Sequence, residues 1–219
     1  MINIYCLDVS VFEDEKKFDE YYSRCSDFRK KKISALIPKS EKRLSLGVSV
    51  LLDHGLKKYG LCEKNMRYVK KENGKPYFEN APEIHFSISH SGNCAAVAFS
   101  DREVGIDVEK IKELIREIAI RFFSEKENIY ISMQRTAEKQ KEAFYRIWTL
   151  KESLVKATGK GFSISPSDLC FDLSGNEIKL DNKVYADYHF GEIQQVNGYA
   201  FAYCSREIDP DVSFETVEL

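Results

Sequence analysis

The sequence alternates small or apolar with acidic side chains in the pentapeptide GIDVE, residues 105–109. In a β-strand, successive side chains point to opposite faces. Ile106 and Val108 are therefore predicted to face the core, while Asp107 and Glu109 project together from the other face. Adjacent carboxylates repel unless a proton or cation joins them, and a site of oxygen ligands suits Mg²⁺. An edge strand with a solvated acidic face has the same pattern.

A second informative stretch is FYRIWTLKESLVKATGKG, residues 144–161, which has the apolar periodicity of a helix. Trp148, Glu152 and Lys156 follow one another at intervals of four and therefore share one line on its surface. Glu152 and Lys156 form either an ordinary intrahelical ion pair or a site for a metal ion and its bound phosphate. Gly159 is predicted to end the helix.

A third stretch, FSISHSG at residues 86–92, reads as a strand that leads into a turn. Ser87 and Ser89 share one face of this strand. His90 enters the turn, where a lone histidine is commonly unremarkable but, among hydroxyl groups, could bind a phosphate. Further candidate anion partners, which could equally be solvated surface charges, are the run RKKK at residues 29–32, Arg43 and Lys75.

The order of the predicted elements indicates an α+β fold instead of a regular βαβ sheet. Strands are predicted at 2–9, 84–89, 95–99 and 104–108, and turns at 73–76, 174–176 and 197–198. Helices are predicted at 13–25, 27–36, from an N-cap at Ser40 to about 59, and at 112–122, 125–133 and 138–158. Residues 92–100 and 197–205 resemble each other, which suggests an internal duplication.

The composition limits the class of protein further. The chain has 219 residues, 43% of them hydrophobic, and a net charge of −2. It lacks the bulk positive charge of a general nucleic-acid binder. Neither a signal peptide nor a membrane-spanning apolar run is recognisable, so we expect a cytoplasmic protein without a membrane partner. Six scattered cysteines without a C-x-x-C pair are expected to be reduced.

Five blocks in this order resemble the 4′-phosphopantetheinyl transferase superfamily, in particular its monomeric Sfp-type members. They are NGKP (73–76), FSISHS (86–91), GIDVE (105–109), RFFS (121–124) and WTLKES (148–153) with its continuation to GKG (159–161). The resemblance implies two similar α/β subdomains that arose by duplication, each with a small antiparallel sheet and packed helices, and a coenzyme A site at their interface. The expected subdomains are 1–103, with the basic phosphate-binding residues, and 104–219, with the acidic metal site. A monomer is expected.

The resemblance also implies residue roles. Asp107, Glu109 and Glu152 match the acidic trio that binds Mg²⁺. The general base is either Glu127, which lies where some members place a carboxylate in that role, or a water molecule assisted by Glu152. Lys156 is assigned to a phosphate of coenzyme A and Lys75 to its adenine end. Arg43 and His90 are assigned to the 3′-phosphate, together with the run 29–32, of which Lys31 is one of several candidates. Ser89 is a further residue assigned to coenzyme A.

The activity implied by the resemblance is transfer of 4′-phosphopantetheine from coenzyme A to a serine of an apo-carrier protein, with release of 3′,5′-ADP. The carrier is an acyl, peptidyl or aryl carrier protein, and the sequence leaves open which one. Its docking surface is expected near residues 112–135, where Ile129, Tyr130, Ile131 and Met133 are either an exposed patch or core. The competing hypotheses are a Mg²⁺-dependent phosphohydrolase and a non-catalytic binding module.

Overall fold

The computed structural model describes residues 1–71, 74–113, 116–175, 177–206 and 210–219. Its helices are α1 (Glu15–Arg24), α2 (Asp27–Ser34), α3 (Lys39–Leu56), α4 (Arg116–Phe122), α5 (Glu125–Ser132) and α6 (Ala137–Thr158). Its strands are β1 (Ile2–Asp8), β2 (Tyr68–Lys70), β3 (Pro76–Phe78), β4 (His85–Ser91), β5 (Cys94–Ser100), β6 (Val104–Lys110), β7 (Phe171–Asp172), β8 (Lys179–Leu180), β9 (His189–Glu192), β10 (Tyr199–Ser205) and β11 (Val212–Thr216).

Most of the predicted long elements are confirmed within a few residues, including the helix predicted at 138–158, which is α6. Only the N-cap is wrong for the helix expected from Ser40. It begins at Lys39, directly after Pro38 in extended geometry, and no side chain caps it. Asn73 and Asn176 of two predicted turns, and residues 114–115 of the helix predicted at 112–122, lie outside the described residues.

The chain divides into two compact units, residues 1–102 with 211–219 and residues 103–210. The sequence assigned residues 211–219 to the second subdomain, whereas the structure places them in the first unit. The reason is strand pairing: β11 lies alongside β1, with Ile4 opposite Phe214. β1 and β11 run parallel, so the sheet of the first unit is mixed. This differs from the antiparallel sheet that the resemblance implied.

The first unit is a four-stranded sheet in the order β11-β1-β5-β4, covered by α3. Apolar residues of β1, α3 and β5 form its core, together with the aromatic rings of β3 and β4. α3 lies very close to β5, since a side-chain carbon added at Gly55 would come within 2.2 Å of the Phe99 ring. A small residue at this position of α3 is therefore required for packing.

The second unit is a three-stranded antiparallel sheet in the order β6-β10-β9, with α6 packed across β6 and β10. β7 and β8 form a separate small hairpin, and α5 packs on α6. Leu150 and Leu154 of α6 are fully buried against Ala202 and Cys204 of β10 in one apolar core. This packing fixes which side chains of α6 face β6.

All six cysteines are free thiols, which agrees with the expected reduced state. Among the residues that the structure describes, no helix is long and apolar enough to cross a membrane.

Candidate functional site

The acidic strand β6 lies beneath α6, and this is the centre of the candidate site. A side-chain carbon added at Gly105 would come within 1.9 Å of the Ser153 backbone oxygen, so the helix backbone rests almost directly on the strand. Because side chains alternate along a strand, Asp107 and Glu109 share the Gly105 face. The pair was predicted to face away from the core. It lies instead on the face that α6 covers, because Gly105 has no side chain to hold the helix away.

Lys156 of α6 contacts this face. Its Nζ lies 2.7 Å from Oδ1 of Asp107, and the Asp107 side chain is 5% exposed against 29% for Lys156. The predicted intrahelical pair between Glu152 and Lys156 is therefore not the contact that the lysine makes here. Lysine and aspartate from two elements form a largely buried ion pair, in which removing one partner leaves an uncompensated charge.

Glu152 is half-buried on the same face, one turn before Lys156. Burial raises the pKa of Glu152 above its usual value, and the negative charge of Asp107 raises it further. Lys156 opposes this effect, whereas Glu109 adds to it. The three carboxylates predicted from the sequence thus lie close enough for Asp107 and Glu109 to affect the pKa of Glu152.

Oxygen ligands of this kind fit Mg²⁺, which binds carboxylates together with substrate phosphates. A divalent cation would also relieve the repulsion that raises the pKa of Glu152. Within the described part of the chain, however, no three His, Cys, Asp or Glu side chains adopt a metal-ligating arrangement. Lys156 takes the position beside Asp107 instead. The donor set fits the ion by its chemistry, and binding would require the lysine to move aside.

Trp148 lies on the same line of the helix surface as Glu152 and Lys156, but its ring packs against two aromatic rings instead of facing the site. Its ring centre lies 5.9 Å from that of Phe122 and 6.3 Å from that of Phe123. The tryptophan therefore helps to hold the end of α4 against α6.

Glu127, which the resemblance names as a candidate base, is fully buried in α5. Its carboxylate pairs with Lys151, with 2.8 Å between Nζ and Oε2, and both side chains are 0% exposed. Burial lowers the pKa of Lys151, and the charge of Glu127 opposes that shift. The sequence carried a signal for a structural role of Glu127, because Ser124 and Glu127 have the spacing of a capping box, which the structure contains.

Arg29, at the start of the basic run, is a structural residue. It is 2% exposed, its Nε donates to Ser49 Oγ at 2.8 Å, and its Nη2 donates to the Ser45 carbonyl at 2.7 Å. Burial lowers the pKa of Arg29, while Tyr68 and Glu63 raise it. Because its guanidinium is used inside the first unit, Arg29 is not among the residues that can hold a phosphate from solution.

Replacing Arg29 by glutamine should therefore destabilise the protein by about 3 kcal/mol, because it removes a buried charge and leaves its partners unsatisfied. The exposed neighbour Lys31 provides the matched control. Lys31→Gln should change the free energy of unfolding by no more than about 0.5 kcal/mol. Urea unfolding of both variants tests this, and equal stabilities would show that the burial of Arg29 has no energetic consequence.

The other predicted coenzyme A residues of the first unit lie in different surroundings. Lys31 and His90 are exposed and Ser89 is buried, while Nη2 of Arg43 lies 3.5 Å from Oε1 of Glu13. Lys75 is half-buried just before β3. Ser89 and His90 are successive residues of β4 and hence point to opposite faces of the sheet.

Sequence reasoning did not single out Lys32 within its run. Lys32 is exposed, but desolvation by the surrounding protein, together with the neighbouring charges of Arg29 and Lys70, lowers its pKa. Positive side chains that lie close together in this way favour the binding of an anion between them. Lys70 lies in β2, far from the run in sequence, so the sequence carried no signal for this pairing.

The sequence model of the 4′-phosphopantetheinyl transferase superfamily matches residues 103–204. The chain is 34% identical to 4′-phosphopantetheinyl transferase ffp of Bacillus subtilis over 155 residues, 69% of this chain and 68% of that protein. It is 40% identical to 4′-phosphopantetheinyl transferase Sfp of Bacillus subtilis strain 168 over 49% of this chain and 48% of the relative.

Among solved structures, holo-[acyl-carrier-protein] synthase of Thermotoga maritima matches with a TM-score of 0.40 and 23% identity, over 47% of this chain and 61% of that one. The chain spans about half the length of the first curated relatives that it matches. On the sequence relationships, the chain belongs to the 4′-phosphopantetheinyl transferase superfamily.

Proposed function

We propose that this chain transfers the 4′-phosphopantetheine arm of coenzyme A to a serine hydroxyl of an apo-carrier protein. Family membership supports this proposal. The observation that carries it is the meeting of Asp107, Glu152 and Lys156 on the face of β6 that α6 covers. Carboxylates and a lysine on one face can bind a metal ion and a diphosphate together.

Asp107, Glu109 and Glu152 are the proposed ligands of Mg²⁺. When bound, this ion offsets the negative charge that develops on the diphosphate during group transfer. Lys156 is proposed to leave Asp107 and to bind a phosphate oxygen, because its ammonium group lies 2.7 Å from a carboxylate that is a proposed metal ligand.

Glu152 is the proposed proton acceptor. Its half-buried carboxylate lies on the same face as Lys156, the proposed phosphate partner, where it can accept the proton of the attacking hydroxyl. In the proposed step the serine oxygen forms a bond to the phosphorus that carries the pantetheine arm. The bond from that phosphorus to the bridging oxygen breaks, and 3′,5′-ADP leaves with the electron pair. The serine proton passes to Glu152, directly or through water.

Residues of the first unit are proposed to bind the nucleotide end of coenzyme A. These are Lys31, Lys32, Arg43, Lys75, Ser89 and His90. Lys32 joins the residues predicted from the sequence because Arg29 and Lys70 concentrate positive charge around it. The two units have a comparable plan, since β5 and β10 are each an inner strand of a sheet beneath a long helix. This supports the proposed duplication.

The proposed carrier contact lies on α5 and just after it. Ile129 is 50% exposed and Met133 is 74% exposed, whereas Ile131 is buried in the core. Large apolar side chains that remain exposed on a small domain are candidates for protein contact. The predicted cluster of four thus divides into one core residue, the half-buried Tyr130, which packs against that core, and two residues that a carrier protein can reach.

Incubation with coenzyme A and Mg²⁺, with and without an apo-carrier protein, tests the proposed function. We expect 3′,5′-ADP to appear only when the carrier is present, in an amount equal to the carrier modified. Release of 3′,5′-ADP without any carrier would instead favour a phosphohydrolase. Binding of coenzyme A with no release of ADP under either condition would favour a non-catalytic binding module.

A further inference from the structure

The ion pair between Glu127 and Lys151 is fully buried in the second unit, and the proposed reaction does not use it. Both side chains are 0% exposed, and Nζ lies 2.8 Å from Oε2. Charges so deeply buried are retained only with well-satisfied partners, because desolvation works against them. The partners of this pair show what it does.

Both oxygens of the Glu127 carboxylate accept hydrogen bonds from the backbone. The amide of Ser124, at the start of α5, donates to Oε2 at 2.7 Å, and the amide of Phe171, in β7, donates to Oε1 at 2.9 Å. The carboxylate therefore ties the beginning of α5 to β7 from inside the unit. It has no exposed surface on which to receive a substrate proton.

Lys151 makes the complementary connections. Its Nζ donates to the carbonyl of Pro166 at 2.7 Å and to the carbonyl of Leu169. These two carbonyls belong to the segment that follows α6. With Glu127, the three acceptors fill the three donor positions of an ammonium group. The lysine thus fixes α6 to α5 and to the segment before β7.

We propose that Glu127 and Lys151 are a positioning pair that sets the rotation of α6, so that Glu152 and Lys156 face Asp107. This inference rests on the proposed function. Lys151 and Glu152 are consecutive residues and therefore point about 100° apart around the helix. Anchoring the lysine on one side fixes the direction of the glutamate. On the β6 side, the contact of α6 with Gly105 holds the same part of the helix.

Glu127→Gln distinguishes a positioning residue from a general base. If the pair positions Glu152, the variant should need about tenfold more Mg²⁺ for half-maximal transfer, as is typical when a partner behind a metal ligand is lost. Its kcat at saturating Mg²⁺ should stay within about threefold of that of the wild type, since the proton acceptor is untouched. A fall in kcat of about 10²-fold or more at every Mg²⁺ concentration would mean that Glu127 is the base, and would overturn the inference.

A second readout does not depend on turnover. Mg²⁺ added with coenzyme A should raise the Tm of the wild type, and the same rise in Glu127→Gln should require about tenfold more Mg²⁺. An unchanged Mg²⁺ dependence of Tm would overturn the inference. If the wild type transfers no phosphopantetheine under any condition, the proposed function has failed, and the Tm measurement alone then tests the positioning pair.

The double variant Glu127→Gln/Lys151→Met keeps the test decisive if a single variant folds poorly. Lys151→Met alone leaves the Glu127 carboxylate buried without its counter-charge, whereas the double variant buries no unpaired charge. We expect the double variant to have a higher kcat than Lys151→Met. If Glu127 were the base, its loss could only lower kcat further, so a lower value overturns the inference.

Glu63→Gln is the matched control, because it makes the same change at another buried carboxylate. Glu63 is 2% exposed and accepts hydrogen bonds from Ser26 and Tyr68 in the first unit. Its variant should be destabilised but should need the same Mg²⁺ concentration as the wild type within about twofold. A tenfold change in this control as well would show that general destabilisation, and not positioning, controls the Mg²⁺ dependence.

Discussion

Glu152→Gln is expected to abolish transfer and, in the absence of Mg²⁺, to stabilise the folded protein. The amide removes one proposed metal ligand and the proposed proton acceptor, so we expect kcat/KM to fall at least about 10³-fold. The gain in stability follows from the repulsion among the site carboxylates. Burial, Asp107 and Glu109 all raise the pKa of Glu152, so its charged form is disfavoured in the folded protein.

The sign of the pH dependence follows from this shift. Because the folded-state pKa of Glu152 lies above its unfolded value, the folded state holds the proton more tightly. The contribution of Glu152 to stability is then most favourable below the unfolded pKa of about 4.3 and is lost as the pH rises through the raised folded pKa. Glutamine does not titrate. The variant should therefore have a larger free energy of unfolding than the wild type at pH values above the folded pKa of Glu152, and the two proteins should be equally stable below the unfolded pKa.

Urea unfolding of both proteins at several pH values, without Mg²⁺, measures this difference. Glu142→Gln is the matched control, since Glu142 lies on the same helix in an exposed pair with Lys139. The control should retain full transfer and change stability by no more than about 0.5 kcal/mol. Equal or lower stability of Glu152→Gln near neutral pH would contradict the proposed crowding of carboxylates at this site.

Gly105→Ala is expected to have the second largest effect. The added carbon would lie 1.9 Å from the Ser153 carbonyl oxygen and 2.4 Å from the Ala157 nitrogen, both of them backbone atoms. A flexible side chain cannot rotate away to relieve this overlap, so α6 must move off β6. We expect a loss of about 3 kcal/mol in the free energy of unfolding. We also expect transfer to fall at least about 10²-fold, because Glu152 and Lys156 move away from Asp107.

Gly175→Ala provides the comparison within the same unit. No heavy atom lies within 4 Å of a carbon added there, so this variant should keep the stability and activity of the wild type within about 0.5 kcal/mol. Thermal unfolding and a transfer assay on both variants measure the effect. If Gly105→Ala were as stable and active as Gly175→Ala, the close approach of α6 to β6 would not be what forms the site.

The sequence predicted the principal elements because their patterns are strong. α6 has a regular apolar stripe and a glycine at its end, and β4 to β6 combine alternation with short length. The pairing of β11 with β1 could not be predicted, because a parallel strand from the far end of the chain has no local signal. The assignment of residues 211–219 to the second subdomain was wrong for this reason.

The candidate site was predicted in part. Alternation in GIDVE correctly indicated that Asp107 and Glu109 share a face, but it cannot say which face a helix covers. Gly105 carried that information, since glycine within a strand often marks the close approach of another backbone. Lys156 pairs with Asp107 and not with Glu152 because this approach brings the helix directly onto the strand.

Glu127 and Arg29 illustrate the limit of reading charged residues one at a time. The sequence placed both among groups that could act on a ligand, and the structure buries both. For Arg29, the sequence signal of burial was its spacing of four residues from Ile33, which is also buried in α2. For Glu127, it was the capping box with Ser124. Burial of a charge depends on partners distant in sequence, such as Lys151 and Ser49, which local patterns do not contain.

The intact mass of an apo-carrier protein after incubation with this protein, coenzyme A and Mg²⁺ is the most direct test of the central claim. We expect the carrier to gain the mass of one phosphopantetheine arm, at a single serine, with the wild type. No gain is expected when Mg²⁺ is removed by a chelator or when Glu152→Gln replaces the wild type. A carrier that stays unmodified with the wild type across acyl and peptidyl carrier proteins, or one modified equally well by Glu152→Gln, would contradict the account.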